Sequence, residues 1–106
     1  MAREKFQTLT EQMFYILLCL GREQCGADIM AQVAAVTQGR VTVGPGTLYN
    51  LLEQFLAAGY IRETKVEGRR RSYLITEAGR KALEDEHRRL RQLAADYEAI
   101  TGEGIL

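Results

Sequence analysis

The sequence predicts a mainly α-helical fold with a small β-hairpin and a long last helix. Three observations predict it. Apolar residues recur at the spacing of an amphipathic helix in four segments, beginning near Leu9, Ile29, Leu48 and Leu83. Two β-prone runs, Tyr60 to Glu67 and Arg70 to Ile75, flank Gly68 and read as a hairpin. The stretch TEAGRKALEDEHRRLRQLAADYEAI carries an apolar stripe longer than packing on a single small core requires. At 106 residues the chain is sized for one domain with one modest core.

The first helix is TLTEQMFYILLCLG. Thr8 and Glu11 have the spacing of a capping box, and Gly21 is a natural stop. Its residues are apolar nearly all round, which predicts the central helix of the core. The second helix is CGADIMAQVAAVTQG, with Ile29, Val33 and Val36 at helical spacing and Gly39 at its end. Arg40 to Val43 is β-prone and reads as a brief edge strand or an extended connection. Gly44 then serves as a weak N-cap and Pro45 as the first helical residue. Proline loses no hydrogen bond there, because first-turn amides have no intrahelical partner. The third helix runs to about Ala58 and stops at Gly59, with Leu48, Leu51, Leu52 and Phe55 inward and Leu56 at the margin. The hairpin alternates imperfectly, which leaves its register open. Thr76 caps the last helix, whose stripe of Leu83, Leu90, Leu93, Tyr97 and Ile100 is interrupted only by Glu86.

Composition narrows the function. Apolar residues make up 46% and charged residues 26%, the balance of a globular domain. The longest apolar run, Met13 to Leu20, falls short of the ~20 residues of a membrane span. MAREKFQTLTEQ lacks the apolar core of a signal peptide, so the expected location is the cytoplasm, with no membrane partner. Cys19 and Cys25 fit plain thiols in a reducing compartment. With one histidine, His87, they cannot complete a usual zinc site, and no cofactor is expected. Neither a nucleotide loop nor a carboxylate dyad appears. Glu84, Asp85 and Glu86 are consecutive on a helix and diverge, so the chain does not read as an enzyme.

Net charge is zero, but its distribution is uneven. Met1 to Tyr60 holds 4 basic and 5 acidic residues, Ile61 to Arg91 holds 10 and 6, and Gln92 to Leu106 holds none and 3. The densest positive point is Arg69-Arg70-Arg71 at the hairpin, with Lys65 on the opposite strand. Guanidinium groups there suit phosphates or a narrow minor groove. The third helix supplies a complementary signal. At about 100° per residue its outer side is Gly46, Thr47, Asn50, Glu53, Gln54 and Ala57. Asn50 and Gln54 lie one turn apart, and such amides read adenine by paired hydrogen bonds without the indiscriminate pull of a lysine. Pro45, Gly46 and Thr47 at the helix start suit a backbone phosphate, because free amides and a partial positive charge collect there. Gly-Pro-Gly is equally compatible with a plain tight turn. Tyr49 sits at the flank, where its hydroxyl could reach a phosphate or its ring could simply pack. Glu53 reads as a surface or intramolecular partner, and His87 as solvated or part of a seam.

Two helices, a third opening with Gly-Pro-Gly, and then a basic hairpin match a winged helix-turn-helix. GTLYNLLEQFLAAGYI and GRRRSYLITEAGRKAL resemble the PadR family of bacterial transcriptional regulators, through Pro45-Gly46-Thr47-Leu48-Tyr49 and Tyr73-Leu74-Ile75-Thr76-Glu77-Ala78-Gly79. The likeness extends over roughly Leu9 to Leu90. One departure is Gly26-Ala27-Asp28-Ile29, where many members have Gly-Tyr-Glu-Ile. The resemblance implies a DNA-binding domain over 1–76 and a dimerisation helix over 77–106. It implies a dimeric repressor that reads a pseudo-palindromic operator in double-stranded DNA. The stripe of the last helix reads as the seam of that homodimer, and the resemblance sets it against the partner's Phe6, Leu9 and Met13. It also implies a small aromatic effector near the interface, for which Phe14, Tyr15 and Tyr97 are the expected lining. The competing reading is a winged helix used for protein–protein contact without DNA.

Overall fold

The computed structural model describes residues 8–104. The elements run α1 (Glu11–Cys19), β1 (Gln24–Cys25), α2 (Gly26–Val36), α3 (Pro45–Ala58), β2 (Ile61–Glu67), β3 (Arg70–Ile75) and α4 (Glu77–Gly102). The three strands form one antiparallel sheet in the order β1-β3-β2.

The helix starts follow from local chemistry. Thr10, not Thr8, caps α1: its hydroxyl accepts the Met13 amide at 3.2 Å, and the Met13 sulfur accepts the Thr10 amide in return. The shift has a tertiary cause. Leu9 is buried, and its amide donates to the Glu86 carboxylate at 3.2 Å, so the chain stays extended until Thr10. Pro45 opens α3 after Gly44, and Gly59 closes it at φ 79°, in the left-handed region that glycine adopts without strain. Thr76 caps α4 by accepting the Gly79 amide, while its own hydroxyl donates to the Gly59 carbonyl at 2.6 Å. One threonine therefore fixes the exit of α3 against the entry of α4.

The core gathers Ile16, Leu17 and Leu20 from the first helix and its end, Ile29 and Val33 from α2, Leu48, Leu52 and Phe55 from α3, and Ile61, Tyr73 and Ile75 from the sheet. A side chain sealed to this degree contributes about 1.5–3 kcal/mol relative to an exposed one. Val36, expected inward, is 57% exposed. Val41 and Val43 join the core instead, from an extended connection without strand pairing. The Thr37 hydroxyl ties that connection down, donating toward the Val33 and Val41 carbonyls and accepting the Val41 amide. The β-prone signal at Arg40 to Val43 thus marks buried alternation, and the third strand is Gln24–Cys25.

β2 and β3 pair from Ile61↔Ile75 out to Glu67↔Arg70, with a register shift between Glu63 and Lys65 that leaves Thr64 without a partner residue. The sheet is bound to the helices at its root, where the Ile75 amide donates to the Leu20 carbonyl at 2.8 Å. α4 begins on the core, with Gly79 buried and Leu83 packed against it. From Arg91 to Ile100 every α4 residue is exposed.

Candidate nucleic-acid interface

α3 positions the polar side chains. Leu48, Leu52 and Phe55 are at most 1% exposed, which fixes the rotation of the helix about its axis. Gly46, Thr47, Asn50, Glu53, Gln54 and Ala57 consequently face outward, and all are exposed. Among the described residues no hydrogen bond or ion pair occupies the side chains of Asn50, Gln54 or Glu53, and the Glu53 charge acts on the Tyr73 phenol across the wing. The Gly44 cap supplies no side-chain acceptor to the first turn. A Cβ added at Gly46 would meet no atom within 4 Å, so nothing in the fold demands a glycine there.

The wing stands beside this helix. Arg69 and Arg71 line a hollow of about 500 Å³ together with Tyr49, Glu53 and Leu56 of α3 and Glu63 and Tyr73 of the sheet. Tyr49 and Glu53 occupy the ridge of α3 adjacent to Asn50. The three arginines are not equivalent. Arg71 donates to Glu63 at 2.8 Å, which raises its pKa. Arg70 lies 3.8 Å from Asp28, and its pKa is raised by the Cys25 side chain first and by Asp28 after it. Arg69 makes no ion pair among the described residues. Such exposed pairs contribute little to the fold. Lys65 is exposed on β2, opposite Ser72. Burial pushes the Tyr73 phenol up, with the Glu63 charge adding to it.

Sequence reasoning missed the start of α2. Cys25, Gly26 and Ala27 line a second hollow of about 350 Å³ with Tyr49 and the three arginines. No local pattern signals this, because α2 meets the wing through tertiary contacts, the β1–β3 pairing and the approach of Arg70 to Asp28. Cys25 and Cys19 are both free and buried, and burial raises the Cys19 pKa.

At the other end of the molecule α1 meets α4. Leu9 and Met13, expected at a partner contact, are 8% and 5% exposed in the chain's own core, which leaves little of either for a second chain. Phe6 lies outside the described residues. Leu83 is half-buried, whereas Leu90, Leu93, Tyr97 and Ile100 are 40%, 52%, 64% and 44% exposed. A hollow of about 370 Å³ at this joint is lined by Phe14 and Tyr15, with Leu9, Thr10, Glu11, Glu86, Arg89 and Leu90. The two rings meet edge to face at 5.7 Å, and the Tyr15 hydroxyl accepts from Arg40 at 3.0 Å. Tyr97 does not line this hollow: it lies two turns beyond Leu90, about 10 Å along the helix. Glu86, the polar break in the stripe, turns inward instead and is 5% exposed, bonded to Arg89 and Leu9. Those two bonds, Arg89 first, hold its pKa below the usual value against the opposing effect of burial. His87 is exposed. No helix among the described residues is long and apolar enough to cross a membrane, and no group of three His, Cys, Asp or Glu among them could hold a metal ion.

Three helices, the third with its polar side beside a basic β-hairpin, define a winged helix-turn-helix protein. The family is set by the match of residues 16–85 to the model of the PadR-like family of transcriptional regulators, and the chain belongs to that family. No curated protein sequence matches the chain. Solved structures share its fold. A transcriptional regulator from Clostridium thermocellum superposes with a TM-score of 0.70 at 18% identity, over 91% of this chain and 93% of that one. A PadR-like transcription factor from Bacteroides fragilis gives 0.70 at 24%, over 83% and 87%. Bacillus subtilis PadR in complex with operator DNA gives 0.62 at 21%, over 71% of this chain and 45% of that one.

Proposed function

We propose that this PadR-family regulator binds double-stranded DNA as a homodimer and represses transcription from a pseudo-palindromic operator. One observation carries the DNA reading: Asn50 and Gln54 are solvent-facing and unoccupied on a helix locked by its core face, beside a wing tipped with Arg69, Arg70 and Arg71. A winged helix kept only for protein contact would present apolar residues there. In this reading Pro45, Gly46, Thr47 and Tyr49 seat the helix on the phosphate backbone, Asn50 and Gln54 read base edges, and Lys65 and the arginines hold adjacent phosphates. That Bacillus subtilis PadR is bound to operator DNA supports it. Residues 1–76 would form the reading head and residues 77–106 the dimerisation helix, through Leu90, Leu93, Tyr97 and Ile100. The joint of α1 and α4, with Phe14 and Tyr15 in its wall, is the place for a small aromatic effector that releases the repressor.

Selection of bound duplexes from a random pool tests the reading, with Asn50→Ala and Arg70→Ala run alongside. Asn50→Ala should change the preferred sequence, at about 1–3 kcal/mol for the base it reads. Arg70→Ala should weaken all sequences alike and flatten the salt dependence. Failure of the wild-type chain to retain any duplex at low salt would leave the protein-contact reading in its place.

A further inference from the structure

The start of α2 lines one of the arginine hollows, and its first residue bears on a side chain that the proposed interface uses. Gly26 is the first residue of α2 and is buried. A Cβ built on it would stand 2.5 Å from the Tyr49 hydroxyl, 3.0 Å from the ring carbon that bears it, and 3.3 Å from a Leu48 methyl. Real side chains do not tolerate the first of these distances. Leu48 is fully buried and cannot retreat, so Tyr49 would have to move. Tyr49 lies along the wall shared by the two arginine-lined hollows, with Arg69 and Arg71 in both. Its hydroxyl makes no hydrogen bond among the described residues, and the residue remains 49% exposed.

We infer that Gly26 is a positioning residue for DNA binding: its missing side chain is the space that holds the Tyr49 hydroxyl between α2 and the wing arginines. The inference rests on the DNA-binding reading and adds to it a residue remote from the recognition helix in sequence. Backbone freedom is not the reason for the glycine, since its φ is not positive. Alanine would itself favour the helix. The constraint is the neighbour's hydroxyl.

A double-mutant cycle isolates it, with Gly26→Ala, Tyr49→Phe and the pair measured against the selected duplex. Gly26→Ala should weaken binding roughly tenfold, the scale of one displaced hydrogen bond to a charged group. Tyr49→Phe removes the obstructing atom and should itself weaken binding by a similar factor. The pair should bind about as well as Tyr49→Phe alone, because the 2.5 Å contact is gone and the ring carbon at 3.0 Å has only a few tenths of an ångström to give. The preferred sequence should stay the same throughout, since a phosphate contact carries no base information. Equal losses from Gly26→Ala in both backgrounds would overturn the inference, as would unchanged binding by Gly26→Ala alone. A wild-type chain that binds no duplex would instead overturn the DNA reading beneath it.

Discussion

Asn50 and Gln54 do nothing for the fold that the structure reveals, and the same holds for Gly46. Residues idle in the folded chain while neighbours one and two positions away, Leu48, Leu52 and Phe55, are sealed in the core are the side chains left to act on a partner. Gly46 makes the point measurable. Its φ is not positive, and a Cβ there would meet open space. Gly46→Ala should therefore leave thermal stability unchanged or raise it, by up to about 1 kcal/mol from helix propensity. If a phosphate rests on this turn, the same change should weaken duplex binding severalfold, because the added methyl stands where the backbone must be approached. Thermal melting and a gel shift on one preparation read both effects. Stability and affinity moving in the same direction would argue against a phosphate at this position.

Among the elements, α4 joins two environments, and Glu86 marks the passage between them. Its carboxylate is the one polar group on the stripe, and it anchors the chain just ahead of α1 by holding the Leu9 amide. Its pKa lies below the ordinary value of about 4.3 that it regains on unfolding. The folded state therefore binds the proton less readily than the unfolded one. The stability this contributes is full above about pH 4.3 and is lost as pH falls through the depressed native value. Glu86→Gln should cost about 1–2 kcal/mol at pH 7, and the difference from wild type should close as denaturation is followed into acid. A cost independent of pH would assign it to packing. Much at this scale was legible in the sequence. Pro45, Gly59 and Thr76 mark helix ends by backbone chemistry that each residue carries with it. The illegible parts depend on distant neighbours: two threonines compete to cap α1, and Glu86 decides between them from the far end of the chain. β1 is two residues long, too short for any alternation, and exists because β3 arrives beside it 47 positions later (Cys25 to Ser72). The Asn50–Gln54 face was legible because the leucine spacing alone sets its direction. Gly26 was not, because its constraint is a ring on another helix.

For the whole molecule, the exposed second half of α4 is the feature that a solitary chain leaves unexplained. Twenty-six residues extend about 39 Å, comparable with the ~34 Å between successive major-groove faces of DNA. Leu93→Glu with Tyr97→Glu changes two residues that make no core contact, so the helical content should persist. If the proposed dimer forms, sedimentation should find the wild type as a pair and the double variant as a single chain of 12.0 kDa. Operator affinity should fall by at least about 100-fold, since two linked heads bind far more tightly than one. A wild-type chain that sediments alone would remove the pairing and the operator symmetry together. One link described above also ties the two ends of the molecule. The base of the hairpin is laced to the tail of the first helix, through the Ile75 amide on the Leu20 carbonyl and through β1 only a few residues on. The hairpin is therefore not a free flap. Its base is also anchored by the Tyr60 amide on the Phe55 carbonyl and the Thr76 amide on the Tyr60 carbonyl, so the arginine tip inherits its heading from the body of the domain.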